Sequence, residues 1–191
     1  MDTSSSRGVA SRTLTLPNLQ TAFNGESNAR ACYLAFAIQA DHEGYGPVAS
    51  LFRAAARAEE IHAANHAAVL SGLGAEPASQ IEVPLVMSTH ENLKAAIRGE
   101  TYERDELYRA FIVQAEAEGQ RKAENTFYLA CEVETEHARL FTRALVDLDK
   151  LRIDAAAYYL CPICGFTVAG EPDFAACPVC STPAEEYESV K

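Results

Sequence analysis

At 191 residues the chain can bury one full core and add a small second module, but not two large domains. Its 27 acidic against 16 basic residues give a net charge of -11, which repels nucleic-acid phosphates and anionic membrane surfaces and suits metal ions or cationic ligands. The start, MDTSSSRGVASRTLTLP, holds no apolar run and no later window approaches 18 apolar residues, so a soluble cytoplasmic protein with no membrane span is expected.

Residues 1–15 are rich in Ser, Thr and Arg without an apolar period, and a mobile tail is expected there. Pro17 suits the first turn of a helix running to about Glu43, where EGYGP breaks it, and Pro47 opens a second helix running to about Gly72. Loop residues follow through Met87. Ser88 and Glu91 form a capping-box pattern, so a third helix is expected from there to about Gly119 and a fourth from about Gln120 to Asp149. Helices of roughly 25 to 30 residues, about 40 Å each, make an all-α four-helix bundle over 16–150. A linker over 151–157 then leads to a separate small module over 158–191, where the composition changes to CPICG, GEPDF and CPVC.

The bundle region is written twice. NLQTAFNGES at 18–27 returns as NLKAAIRGET at 92–101, and AEEIHA at 58–63 as VETEHA at 133–138. Glu26, Glu59 and His62 therefore echo Glu100, Glu134 and His137 at almost constant spacing, as a duplicated helix pair would. On the fourth helix Glu134 and His137 fall within the apolar stripe of Ala130, Val133, Leu140 and Phe141, while Glu136 pairs with Arg139 on the solvated face. On the second, Glu59 and His62 lie on the stripe and Glu60 lies off it. Leu19, Ala22, Phe23 and Tyr33 bracket Glu26, and Leu93, Ala96, Ile97 and Leu107 bracket Glu100 and Glu103.

Five inward carboxylates would repel one another and pay several kcal/mol each in desolvation if unpaired. Arg30, one turn beyond Glu26, is the only inward cation the pattern offers. Metal ions answer the charge. Hard carboxylate oxygens that can bridge two ions, with one imidazole for each, suit iron or manganese. A Glu from each of two helices plus Glu-x-x-His from the other two is the dinuclear pattern of four-helix bundles, and Glu103 is an addition to it. His66 reads as a core or outer histidine, and His42 and His90 as solvent-facing. Tyr33 and Tyr108 are core aromatics whose hydroxyls can reach ligating carboxylates. Cys32 and Cys131 lie in helical runs as inert core thiols.

The four remaining cysteines, Cys161, Cys164, Cys177 and Cys180, form C-x2-C-x12-C-x2-C, a four-thiolate metal signature rather than a disulfide framework. Spacing alone fits a zinc ribbon or a single redox-active iron, since both are tetrahedral sulfur sites. Gly165 can turn the backbone toward sulfur. Ser181 occupies the equivalent place after Cys180 and carries a cost of about 1 kcal/mol if its φ is positive. Tyr158, Phe166, Phe174 and Tyr187 offer a miniature core.

Helical Glu, Glu-x-x-His, Glu-x-x-Glu and Glu-x-x-His, followed by CPICG and CPVC, resembles rubrerythrin over about residues 16–191. The resemblance implies a ferritin-like bundle with a rubredoxin-like C-terminal domain. It implies iron ligation by Glu26, Glu59, Glu100, Glu103, Glu134 and His137, with His62 joining in the reduced state. It also implies a mononuclear iron on the four cysteines; Ser181 departs from the usual glycine. The implied activity is reduction of hydrogen peroxide to water in oxidative stress defence, with electrons derived from NAD(P)H. No Rossmann fingerprint is present, so an external NAD(P)H-dependent reductase or rubredoxin is expected as donor. The rival reading is a ferroxidase or iron-storage bundle with a structural zinc ribbon. A head-to-tail homodimer is implied as well. A linker of about eight residues supplies a motive, since folding the module back onto its own bundle demands a sharp reversal.

Overall fold

The structure is a computed structural model that describes residues 13–191; most of the expected tail lies outside the described residues. Residues 14 and 15 are held, contrary to the tail expectation. The backbone N–H groups of Leu14 and Thr15 and the Thr15 hydroxyl donate to the Glu118 carboxylate at 2.7, 3.1 and 2.6 Å. This anchors the start of α1, Thr15–His42.

Helix α2 spans Gly46–Gly72 with Pro47 in its first turn, where the missing N–H costs nothing. The loop after it lies along α1. Gln20, Asn24 and Asn28, one turn apart, bond the backbone of Ala78, Gln80 and Glu82 through their side-chain amides. Ser88 caps α3, Thr89–Tyr102, by accepting from Glu91 N–H at 3.3 Å. α4 is Tyr108–Ala117 and α5 is Arg121–Val146. No helix among the described residues is long and apolar enough to cross a membrane.

The third expected helix is not one regular helix. Glu103–Leu107 form a π turn between α3 and α4, which inserts one residue into the helical ladder. Glu26 to Glu100 is 74 residues, whereas Tyr33 to Tyr108, Glu59 to Glu134 and His62 to His137 are each 75. The added residue falls between Glu100 and Tyr108, where the π turn sits. It absorbs the extra position without rotating Tyr108 off the inner face.

Two aromatic layers flank the centre of the bundle. Tyr33, Phe36, Phe52 and Phe141 pack in one, and Tyr108, Phe111 and Phe127 in the other. Between them lie Glu26, Glu59, Glu100, Glu134, His62, His66 and His137, each 0 or 1% exposed.

The C-terminal module is a three-stranded antiparallel sheet in the order β2-β1-β3, with β1 Tyr158–Leu160, β2 Thr167–Ala169 and β3 Glu188–Val190. Phe166, Phe174 and Tyr187 pack edge to face as its small core. Tyr158 does not join them. It is buried in the bundle's own hydrophobic cluster, the one that holds the first aromatic layer, so it serves as a docking contact.

The module folds back onto its own bundle, contrary to the expectation from the short linker. After a 3-10 turn at Leu148–Lys150, the linker is pinned to the α1–α2 corner. Arg152 donates to Glu43 O at 2.8 Å and to the Tyr45 hydroxyl at 3.0 Å, and stacks over the Tyr45 ring. The linker backbone runs so close to Gly46 that a Cβ there would lie 2.6 Å from Ile153 O and Ala155 N. Arg57 on α2 clamps β3 through a two-pronged pair with Glu188 at 2.9 and 3.0 Å. The reversal is thus built by specific contacts.

Candidate metal centres

Each glutamate reaches the bundle centre because its neighbours on the same helix face are apolar. Two overlapping groups of ligand atoms result: Glu26, Glu59, His62 and Glu134, and Glu59, Glu100, Glu134 and His137, each with all atoms within 4.8 Å of one another. Glu59 and Glu134 are common to both. Glu103, on the π turn, belongs to neither group and is half-buried beside them. Burial first, then the charges of Glu26 and Glu100, push its carboxyl well above the usual range.

Arg30 is not the inward cation that its register suggests. Its guanidinium reaches out to Glu60 at 3.3 Å on the surface. Among the described residues, Glu26 Oε2, Glu59 Oε1 and Glu100 Oε2 are buried without a hydrogen-bond partner. Such atoms cost about 1–3 kcal/mol each unless something positive meets them. Burial, followed by neighbouring carboxylates, pushes Glu59 and Glu134 well above the usual carboxylate range. Burial also works to raise Glu26, but its contacts with His66 and His62 outweigh this and bring it down to about 2. Burial lowers His62, and the charge of Glu134 more than reverses it. The donor set fits two metal ions, whose charge would replace those protons.

The histidines point the right nitrogen inward. His62 Nδ1 lies 2.9 Å from Glu134 Oε1 and 3.0 Å from Glu59 Oε2, and His137 Nδ1 lies 2.8 Å from Glu134 Oε2. Their Nε2 atoms face the cysteine module, His62 toward Cys164 O at 3.0 Å and His137 toward Thr167 Oγ1 at 3.4 Å. An Nε2–H donating outward leaves the Nδ1 lone pair for a metal. The Thr167 hydroxyl itself donates to Gly165 O. Sequence reading missed both partners, because one is a backbone carbonyl and the other a strand threonine with no motif.

The tyrosines repeat the twofold pattern. Tyr33 from α1 donates to Glu100, and Tyr108 from α4 donates to Glu26. Burial, ahead of the adjacent carboxylates, holds both hydroxyls well above their usual range, so they stay protonated donors. His66, buried and lowered by that burial, contacts the Tyr108 hydroxyl through Nε2 at 3.2 Å.

In the module, Cys161 Sγ lies 3.4 Å from Cys180 Sγ and Cys164 Sγ 3.6 Å from Cys177 Sγ, and all four sulfurs form one group. A hydrogen bond with Cys164 leads the causes that bring Cys161 down to about 4, against burial. Two matching turns hold the sulfurs: Gly165 N–H donates to Cys161 O, and Ser181 N–H donates to Cys177 O, both at 2.9 Å. Ser181 has φ +64, the only positive φ outside glycine among the described residues. The expected cost of the serine is therefore present. Ser181→Gly is expected to stabilise the module by about 1 kcal/mol. Denaturant titration followed by the visible band of the cysteine-bound iron checks this, and an unchanged midpoint would count against strain at Ser181.

A four-helix bundle carrying two glutamates and two Glu-x-x-His pairs around a buried centre is a ferritin-like dinuclear-metal protein. The chain belongs to the rubrerythrin family, whose family model, described as rubrerythrin, matches residues 17–145. It is 39% identical over 176 residues to nigerythrin of Nitratidesulfovibrio vulgaris, covering 91% of this chain and 85% of that protein. It is 34% identical over 178 residues to rubrerythrin of Porphyromonas gingivalis, covering 91% and 88%. The solved structure of fully reduced, all-ferrous nigerythrin matches with a TM-score of 0.85 at 38% identity, over 92% of this chain and 86% of that one. A bacterioferritin of Desulfovibrio desulfuricans, at 23% identity and a TM-score of 0.67 over 72% of this chain and 81% of that one, shares the bundle fold. The family carries a di-iron site and a rubredoxin-like four-cysteine iron site. The carboxylate-histidine cluster and the four cysteines are those sites here.

Proposed function

We propose that the chain reduces hydrogen peroxide to water, drawing electrons through the cysteine-bound iron into the dinuclear centre. The observation that carries this reading is the hydrogen bond from His62 Nε2 to Cys164 O, which joins a ligand of one metal site to the backbone of a ligand of the other. A structural zinc ribbon has no use for such a bond. Two irons bound by Glu26, Glu59, Glu100, Glu134, His62 and His137 would supply two electrons to peroxide in one encounter, and the single iron would restore them one at a time.

The protein's part is orientation and charge. Tyr33 and Tyr108 hold Glu100 and Glu26 by hydrogen bonds, Cys164 O and Thr167 set the imidazole tautomers, and the aromatic layers on either side limit water. In this reading Glu103 exchanges with His62 between the oxidised and reduced states, and exchanging a carboxylate for an imidazole keeps the buried charge near neutral. The donor of electrons is a separate NAD(P)H-dependent reductase or a rubredoxin. A homodimer is retained as part of the proposal, each chain carrying its own module on its own bundle.

Stopped-flow mixing of the fully reduced protein with hydrogen peroxide or dioxygen tests the reading. Oxidation by peroxide is expected to be at least about tenfold faster than by dioxygen. Preference for dioxygen with accumulation of ferric iron beyond the bound sites would favour storage instead.

A further inference from the structure

His66 is buried and stands one turn beyond His62, yet it belongs to neither group of ligand atoms. Its two nitrogens meet two hydroxyls: Nδ1 lies 3.1 Å from Thr126 Oγ1 and Nε2 lies 3.2 Å from the Tyr108 hydroxyl. His62 and His137, by contrast, turn their outer nitrogens to the cysteine module.

Donor counting fixes the direction of the chain. Tyr108 has one hydroxyl proton, and it goes to Glu26. The Tyr108 oxygen at 3.2 Å is then the acceptor for His66 Nε2–H, nearer than Glu26 Oε1 at 3.7 Å. That leaves Nδ1 of a neutral imidazole as an acceptor, which the Thr126 hydroxyl fills by donating. Every hydrogen bond in the series therefore points from Thr126 toward Glu26.

Thr126 is also where the series meets solvent. It lines a cleft of about 490 Å³ between α2, α5 and the Ile163 turn of the module, with Asn65, Asn125, Arg121 and Lys122 on its walls. The volume exceeds the roughly 30 Å³ share of one water many times over, and the walls supply polar partners to hold several. A cleft water can donate to the lone pairs left on Thr126 Oγ1.

We propose that Thr126, His66 and Tyr108 form a proton path from this cleft to Glu26. The path rests on the peroxidase reading for its use. Each hydrogen peroxide that takes two electrons from the reduced metal centre also takes two protons and leaves as two waters. In one concerted shift, a cleft proton bonds to Thr126 Oγ1 and the threonine proton passes to His66 Nδ1. The Nε2 proton passes to Tyr108, and the tyrosine proton passes to Glu26. One proton enters, one arrives, and His66 is left neutral in its other tautomer, so one passage supplies one of the two protons. His66 and Thr126 act through Tyr108 and are positioning residues of the relay.

The test uses the full chain in two forms. With redox-inert zinc in both sites and nitrogen-15 histidine, NMR reads the solvent exchange of the His66 Nε2 proton; with ferrous iron, stopped flow reads single-turnover oxidation by hydrogen peroxide in H2O and D2O. Thr126→Val is expected to slow the exchange and the oxidation by about tenfold or more, with Thr126→Ser restoring both. Ala68→Trp, which fills the cleft mouth and leaves all three relay groups in place, is expected to slow them as well. Wild-type exchange in both Thr126→Val and Ala68→Trp would overturn the path. A wild-type chain with fast exchange that is not oxidised by peroxide would leave the path standing and defeat the peroxidase reading.

Discussion

Glu134→Ala strips the bundle of its metal and leaves the cysteine site loaded, taking a fully loaded chain from about three irons to about one. Glu134 contributes to both groups of ligand atoms, so its loss removes a donor shared between the ions rather than one terminal contact. The cysteine site shares no ligand with the bundle. Stability should change in opposite senses with and without metal. In the metal-free protein Glu134 is fully buried with only the two histidines beside its oxygens, and the nearby Glu59 adds to the burden that burial places on its charge. Glu134→Gln keeps the shape and removes that charge, so the metal-free variant is expected to melt higher, by about 1 kcal/mol or more. The iron-loaded protein loses stability instead. Iron analysis and thermal melts with and without chelator measure both effects. Two bundle irons retained in Glu134→Ala would remove this residue from the centre.

The glutamates and the two Glu-x-x-His pairs were legible because a carboxylate inside an apolar stripe is costly, and a cost repeated on four helices needs a common cause. The four cysteines were legible from spacing alone. Arg30 misled because helical register places the Cα and not the end of a long side chain; its stem runs along the bundle while its charge escapes to Glu60. The π turn left a trace in the sequence as a single-residue mismatch between the two halves of the repeat. The docking of the module left no such trace. It depends on Arg152 finding a carbonyl and a tyrosine ring at the α1–α2 corner, on the bare backbone of Gly46, and on acceptors at Cys164 and Thr167 that no residue pattern encodes. Linker length alone suggested the opposite arrangement, because it ignores what the linker can hold on to.

Gly165→Ala tests that docking with the largest effect on electron flow. A Cβ at residue 165 would lie 3.0 Å from His62 Nε2, 3.0 Å from Ala58 Cβ and 3.2 Å from Ala58 Cα. The last is backbone of a packed helix and cannot yield, so the module must move away. The bond from His62 Nε2 to Cys164 O stands at 3.0 Å and ceases to be one beyond about 3.5 Å, so a displacement of a few tenths of an ångström weakens it and one slightly larger breaks it. The module should still bind its iron. Ser181, at φ +64 in the matching turn, already carries a side chain in that backbone conformation, whereas Gly165 at φ +82 differs chiefly in facing α2. The expected result is an unchanged visible band of the cysteine-bound iron, with transfer from that iron to the dinuclear centre slowed by at least about tenfold. Ser181→Gly serves as the control, since it relaxes the twin turn without touching the bundle, and its transfer rate should match the wild type. Flash reduction of the cysteine-bound iron, followed by the absorbance of both centres, separates the two steps. Wild-type transfer in Gly165→Ala would mean that electrons reach the dinuclear centre by a route other than Cys164 and His62.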